Sequence, residues 1–195
     1  MALFVESHVR ARAHREVVKM SKTAGKIIAE SAKTFDSLKP YDVFLSHSVK
    51  DSELILGMKG LIEDLGYSVY IDWIDDPDLD RKKVSKETAK KLRDRMNFSR
   101  SLFFVTTDNA ENSKWMPWEC GYFDGIKEKV AIAPVKKTSF DNEYDGQEYL
   151  GLYPYVVIQK SDKEKEMLWV HYNRTKYISY DYWVKTLNDK IVWKG

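Results

Sequence analysis

Two adjacent stretches decide how this chain folds: Ser101 to Thr107, SLFFVTT, and Ser113 to Gly125, SKWMPWECGYFDG. The first is an apolar run of the length of a buried strand, and the second predicts a helix. Residues four apart share one face of a helix, so Trp115 and Glu119 would line one wall together. The turn between a parallel strand and the next helix is where open α/β sheets bind ligands. We therefore interpret Glu119 as the centre of the functional site.

The chain on either side of these stretches repeats the strand–helix pattern. Asp51 or Ser52 is a plausible N-cap for a helix whose apolar residues recur at helical spacing, and Gly66 would end it. The order βαβαβαβ predicts an α/β, flavodoxin-like fold with a central parallel sheet covered on both faces. The predicted strands are Tyr41–Ser46, Tyr67–Asp72, Ser101–Thr107 and Val130–Val135, with a fifth within Tyr149–Ile158.

The segment before Pro40 predicts a helix over residues 3–35. Its apolar residues recur at steps of three and four, and its other faces are basic. The helix either packs on its own domain or associates with a second copy or another partner. Membrane binding is disfavoured because the stripe has no Trp or Leu anchors. The stripe consists of Val9, Ala13, Val17, Met20, Ala24 and Ile28.

The segment after residue 160 predicts a hairpin and a last helix. Met167 to Tyr172 and Tyr177 to Tyr180 flank a short polar turn, and residues 182–191 suggest a helix. We divide the chain into an N-terminal helix, 1–38, an α/β domain, 39–160, and a C-terminal extension, 161–195.

Composition excludes several classes of function. The 32 basic and 30 acidic residues nearly balance, which gives no argument for a nucleic-acid partner. The single cysteine, Cys120, allows neither an internal disulfide nor a cysteine metal cluster, and the four histidines are scattered, so we expect no metal. No apolar run approaches the ~18 residues of a membrane span, and there is no signal-peptide pattern, so a cytoplasmic location is expected. There is no GxGxxG for a dinucleotide-binding dehydrogenase.

Taken in order, these motifs resemble the Toll/interleukin-1 receptor (TIR) domain family. The motifs are YDVFLSH from Tyr41, a second strand ending in Asp72, and the Ser-x-Trp-x-x-x-Glu helix, and the likeness covers Tyr41 to Ile158. In TIR domains that cleave NAD⁺, the catalytic glutamate stands four residues after that tryptophan, which is Glu119 here. TIR domains that act only as adaptors generally lack it.

Small standalone TIR proteins with a C-terminal extension are similar to the sensor component of bacterial Thoeris anti-phage systems. That resemblance implies an enzyme with NAD⁺ as its substrate and no resident cofactor. It also implies a nucleotide product, such as a cyclic ADP-ribose isomer, that signals to a downstream effector. We expect a homo-oligomer, because an enzyme that consumes NAD⁺ must stay silent until it is triggered.

The resemblance also implies a set of substrate-binding residues around Glu119. Strand ends face the cleft in this fold, and the loop after the second strand gates the site in relatives. That loop, Trp73 to Arg81, is acidic here, so it alternatively meets a basic surface such as the N-terminal helix of a neighbouring subunit. The predicted binding residues are Trp115, Phe44, Ser46, His47, Ser48, Asp72, Trp73 and Asp75.

Two other interpretations compete with a TIR enzyme. A non-catalytic TIR interaction module would leave Glu119 incidental, as a surface residue near a helix start. A receiver-like domain would use Asp72 as phosphoacceptor, but it needs an acidic cluster beside the first strand, where only Asp42 is present.

Overall fold

The computed structural model describes residues 3–20, 40–72, 85–110, 113–137, 144 and 148–195. Within these residues, eight strands form one sheet in the order β3-β2-β4-β5-β6-β7-β8, and β1 pairs with β5 beside this path. The strands are β1 Phe4–Val5, β2 Tyr41–Ser46, β3 Val69–Tyr70, β4 Ser99–Thr106, β5 Val130–Lys136, β6 Tyr155–Lys160, β7 Glu166–His171 and β8 Tyr177–Ser179.

Five α-helices lie among the described residues. Ser85 caps the third of them, since its side chain accepts a hydrogen bond from the Thr88 N–H. Gly66 follows the second with a positive φ of 93°, as expected for a residue just beyond a helix. The helices are α1 Glu6–Met20, α2 Ser52–Asp64, α3 Lys86–Asn97, α4 Trp115–Lys127 and α5 Tyr180–Lys185.

The predicted α/β class is confirmed. Strands β3, β2, β4, β5 and β6 pair in parallel, with helical crossovers between several of them. The predicted hairpin forms β7 and β8, which extend the same sheet in antiparallel pairing. The predicted strand Tyr67–Asp72 is shorter in the structure, where Val69–Tyr70 forms the strand. The fifth predicted strand begins at Tyr155, and a 3₁₀ turn over Glu148–Leu152 precedes it.

The two ends of the chain differ from the sequence prediction. The N-terminal helix begins at Glu6, because Phe4 and Val5 pair in parallel with Val135 and Lys136. Residues 21–35 of the predicted helix lie outside the described residues. The predicted helix over 182–191 is α5, which begins at Tyr180 and ends at Lys185, followed by one 3₁₀ turn.

The apolar stripe of α1 packs on its own chain. Val9 and Ala13 are fully buried in the same core cluster as α2. The helices approach so closely that a Cβ on Gly57 would lie 2.0 Å from the Val9 carbonyl oxygen. Arg12 forms an ion pair with Asp64 of α2, its Nε 2.6 Å from Oδ2. Packing on its own domain, one of the two roles predicted for this stripe, is therefore confirmed for the part with described side chains, Val9, Ala13 and Val17.

The sheet has a core on each face. One face carries Val43, Leu45 and Phe103 and packs against α1, α2 and α5. The opposite face carries Phe44, Phe104 and others and packs against α3 and α4. Because strand side chains alternate between faces, Ser46 falls on the α4 face with Phe44. None of the helices in the described ranges is both long and apolar enough to span a bilayer.

Candidate active site

The candidate site lies at the carboxyl edge of the parallel sheet. Strand β2 ends at Ser46 and pairs there with Phe104 of β4. After β4, the chain turns and enters α4 at Trp115, so that Glu119 is in the second turn of that helix. Pro117 is in the first turn, where a missing N–H costs no helical hydrogen bond. The fold thus brings the end of β2 under the start of α4.

Glu119 is a buried acid held by a serine. Its exposed fraction is 0%, and the Ser46 hydroxyl donates a hydrogen bond of 2.6 Å to its Oε2. The serine hydroxyl therefore fixes the orientation of one carboxyl oxygen of Glu119. Removing a carboxylate from water is costly, and such groups concentrate at functional sites. The alternative of a surface glutamate is therefore wrong.

Trp115 is the inner member of an aromatic row on α4. It is 9% exposed and belongs to the core cluster under the helix. The Trp118 ring meets it edge to face at 5.4 Å between centroids, and Tyr122 stacks on Trp118 at 5.7 Å. Trp115 therefore supports the fold, and its role in substrate binding stays a prediction.

His47 and Asp72 form a second buried pair at the same edge. His47 is 0% exposed and Asp72 1% exposed, so His47 does not face solvent. The His47 Nδ1 lies 2.7 Å from the Leu45 carbonyl oxygen, which requires Nδ1 to carry the proton. Its Nε2 lies 3.6 Å from Asp72 Oδ1. His47 and Asp72, which the sequence analysis predicted as substrate-binding residues, therefore contact each other and join the ends of β2 and β3.

The remaining predicted binding residues are Phe44, Ser48, Trp73 and Asp75. Phe44 is 1% exposed and packs on Tyr70, 5.1 Å between ring centroids, so its role here is in the core of the α4 face. Ser48 is buried at the turn after β2. Trp73 and Asp75, with the acidic loop they begin, lie outside the described residues.

One network at this edge was not predicted as part of the site. Asp51 is buried and accepts hydrogen bonds from Thr107 Oγ1 at 2.5 Å and Asn109 Nδ2 at 2.6 Å. The sequence suggested Asp51 only as a cap for α2. The available signal was the pair of polar residues directly after a buried strand, at the edge where α/β sheets carry their sites.

Cys120, next to Glu119, is excluded as a nucleophile. Burial raises the pKa of its thiol to about 11, so it stays protonated near neutral pH. Tyr153, whose hydroxyl donates to Asp124 Oδ2 at 3.2 Å, also lies in this region of α4. Among the described side chains, no three His, Cys, Asp or Glu residues are grouped to hold a metal ion.

Comparison with known proteins relates the chain to two bacterial relatives, while no protein-family model matches it. The sequence is 48% identical over 194 residues to "Probable 3' cyclic ADP-D-ribose synthase ThsB'" of Bacillus cereus (strain MSX-D12), covering 95% of this chain and 99% of the relative. The chain belongs to the TIR family of this relative. It is also 42% identical over 85 residues to "Putative cyclic ADP-D-ribose synthase TIR2" of Cytobacillus dafuensis, covering 43% of this chain and 22% of that protein.

Membership of this TIR family confirms the resemblance found in the motifs. The alignment with the first relative covers 95% of this chain, so the likeness extends beyond Tyr41–Ile158 into the sequence on both sides.

Proposed function

We propose that this TIR protein is an enzyme that breaks the nicotinamide–ribose bond of NAD⁺ and closes the remainder into a cyclic ADP-ribose. The observation that carries the proposal is the buried Glu119 carboxylate, oriented by Ser46 at the carboxyl edge of the sheet. The name of the Bacillus cereus relative, a 3′ cyclic ADP-ribose synthase, supports the same reaction.

One carboxylate is sufficient for the bond cleavage. Glycosidases usually need a second carboxyl to protonate the leaving oxygen. Nicotinamide in NAD⁺ is already cationic, so it leaves as a neutral base without a proton. The positive charge then develops on the ribose, and a fixed carboxylate in a site shielded from water stabilises it. Glu119 has the burial and orientation that this role requires.

The second half of the reaction decides the product. Water at the ribosyl cation gives linear ADP-ribose, whereas a group on the adenosine half of the same molecule gives a ring. In a 3′ cyclic product, the adenosine 3′ hydroxyl bonds to the ribosyl carbon and loses its proton. NAD⁺ then yields cyclic ADP-ribose, nicotinamide and one proton. The burial of Glu119 favours ring closure, because it limits access of water.

The structure favours the enzyme over a non-catalytic TIR adaptor. An adaptor has no need for an acid at the carboxyl edge of the sheet. Here the acid is fully buried and bonded to a hydroxyl from another strand, 73 residues away in the chain. A buried carboxylate costs stability unless it is well hydrogen-bonded, and buried titratable groups of this kind concentrate at functional sites.

Substrate access also bears on how the enzyme would be silenced. Glu119 is 0% exposed, so NAD⁺ reaches it only when the side chains above it move. We propose that assembly of a homo-oligomer provides that movement. The α1 stripe formed by Val9 and Ala13 is already occupied by α2, so the outward side of α1, with Val18 60% exposed, is the candidate contact. Val18→Asp should lower the particle mass in light scattering, and an unchanged mass would exclude this contact.

The biological role follows from the product. A cyclic nucleotide made from NAD⁺ in the cytoplasm is suited to signal to a downstream effector. The resemblance to the TIR component of Thoeris systems supports anti-phage defence as its setting.

Mass spectrometry of the products tests the proposal. The protein is incubated with NAD⁺ at several protein concentrations, and nicotinamide, linear ADP-ribose and cyclic ADP-ribose are separated. We expect equal amounts of nicotinamide and a cyclic product. Linear ADP-ribose alone would refute the cyclase, and intact NAD⁺ under all conditions would favour the adaptor.

A further inference from the structure

Asp51 occupies the capping position of one helix but serves another part of the chain. It is the N-cap residue of α2, yet its side chain makes no capping hydrogen bond. An aspartate at this position usually accepts from the N–H groups of its own helix. Here Oδ2 accepts instead from the Thr107 hydroxyl and Oδ1 from the Asn109 amide. The carboxylate is therefore committed to the loop between β4 and α4.

The loop that Asp51 holds leads directly to the start of α4. The Thr107 carbonyl accepts from the Ala110 N–H at 3.0 Å, and the Ala110 carbonyl accepts from the Ser113 N–H at 3.0 Å. The Ser113 hydroxyl then accepts from the Met116 N–H at 3.3 Å, in the first turn of α4. A continuous series of hydrogen bonds thus runs from Asp51 to the helix that carries Glu119.

Asp51 is also hydrogen-bonded to the turn that follows β2, the strand that ends at Ser46. Its N–H donates to the Ser48 carbonyl at 3.0 Å, two residues after Ser46. One residue therefore connects the turn that follows Ser46 to the loop after β4, which leads into the helix of Glu119. The side chain is 7% exposed, so its hydrogen bonds are shielded from water.

We propose that Asp51 is a positioning residue that fixes the start of α4 and so sets the Ser46–Glu119 geometry. The inference rests on the proposed NAD⁺ cleavage and adds a residue that does not touch substrate. It acts through the hydrogen bonds that it accepts from Thr107 and Asn109, which hold the loop before α4. A small displacement of a reacting group is enough to slow catalysis about a hundredfold.

The test compares two replacements of Asp51. Asp51→Ala leaves the Thr107 and Asn109 donors unpaired, and we expect kcat for nicotinamide release to fall about tenfold to a hundredfold with KM little changed. Asp51→Asn keeps an oxygen for Asn109, while its amide can donate to the Thr107 hydroxyl, so we expect it to retain most of kcat. Asp108→Asn is the matched control. It lies between the two donors in the chain, and its carboxylate pairs with exposed Lys137.

Hydrogen exchange provides a measurement that does not depend on activity. In Asp51→Ala, the amides of Ala110, Ser113 and Met116 should exchange faster than in the wild type, and in Asp51→Asn they should stay protected. Should Asp51→Ala fail to fold, Asn109→Ala removes one donor and should shift exchange and kcat in the same direction by less. The double variant Asp51→Ala/Asn109→Ala should have the same kcat as Asp51→Ala, because the Asn109 side chain acts through its hydrogen bond to Asp51, which the first substitution already removes.

The outcomes separate the two proposals. Wild-type exchange and wild-type kcat in Asp51→Ala would overturn the positioning role. An Asp51→Asn variant as slow as Asp51→Ala, with the amides of Ala110, Ser113 and Met116 still protected as in the wild type, would also overturn it, because the charge of Asp51 and not the placement of α4 would then be what matters. If the wild type releases no nicotinamide, the proposed function fails, while the exchange data still decide whether Asp51 holds α4.

Discussion

The Ser46 hydroxyl and the Glu119 carboxylate are 73 residues apart in the chain and 2.6 Å apart in the fold. Their contact requires β2 beside β4 and α4 packed on the face that Ser46 shares with Phe44. The Ser46–Glu119 hydrogen bond therefore forms only when the end of β2 and the start of α4 are correctly placed.

Replacing Ser46 by alanine should slow catalysis more than it unfolds the protein. The buried carboxylate would lose a charge-assisted hydrogen bond, worth about 1.5–3 kcal/mol. If part of this hydrogen-bond energy stabilises the transition state, its loss raises the activation barrier. The rate of nicotinamide release should then fall by about tenfold or more. Steady-state kinetics measures the change. Ser46→Thr, which keeps the hydroxyl, is the control, and equal rates for alanine and wild type would show that Ser46 does not orient Glu119.

The contact between α1 and α2 should depend on the absence of a side chain at Gly57. A Cβ there would lie 2.0 Å from the Val9 carbonyl oxygen, so Gly57→Ala forces the helices apart. We expect a loss of about 1–3 kcal/mol in the free energy of unfolding. Gly125→Ala in α4 is the control, because nothing lies within 4 Å of its Cβ position. Urea unfolding distinguishes them, and a Gly57→Ala protein as stable as wild type would contradict the close packing.

Stability should decline in mild acid because of His171. Its ring is 2% exposed and stacks between Tyr155 and Tyr177, at 5.3 and 5.2 Å between centroids. Burial lowers its pKa below the usual 6.5. Below about pH 6.5 the unfolded chain therefore binds a proton more readily than the folded chain does. The free energy of unfolding decreases as the pH is lowered through this range. Above that pH both states are neutral and His171 adds no pH dependence.

Replacing His171 by phenylalanine should flatten this acid limb. The ring stack is retained, but the titrating group is gone. Unfolding midpoints measured at pH 7.5 and 5.5 should differ less for His171→Phe than for wild type. His14→Gln, at an exposed position of α1, should keep the wild-type difference. An identical pH dependence in His171→Phe would assign the acid limb to other groups.

The sequence predicted the central elements well because their apolar spacing is strong. Strand Tyr41–Ser46 has the predicted bounds, and β4 and α4 appear where SLFFVTT and the Trp115–Glu119 spacing placed them. The strand Phe4–Val5 was missed, because two residues within a helical pattern carry no periodic signal of their own. It forms through its distant partners in β5.

The positions of several predicted residues at the carboxyl edge of the sheet could be inferred from the sequence, but their contacts could not. Ser46, His47 and Asp72 follow from the rule that strand ends face the cleft, combined with the family resemblance. The rule does not state which groups pair. The role of Asp51 was hidden for the same reason, since its partners lie 56 and 58 residues away in the chain. The local sequence around it reads equally well as a helix cap.

The burial of Glu119 also changes how its role is best tested. Had it been a surface residue, alanine would have been harmless to the fold. At 0% exposure, alanine would leave a cavity and an unpaired Ser46 hydroxyl. Glutamine keeps the shape and an acceptor oxygen while it removes the charge, so it separates catalysis from folding.

The most direct test is the rate of nicotinamide release from NAD⁺ by wild type and Glu119→Gln, at matched protein concentration and with folding checked by circular dichroism. The wild type should release nicotinamide together with cyclic ADP-ribose. The folded Glu119→Gln protein should release it at least about a hundredfold more slowly, because the ribosyl cation loses its stabilising charge. Equal rates in the two folded proteins would contradict the assignment of Glu119 as the catalytic residue.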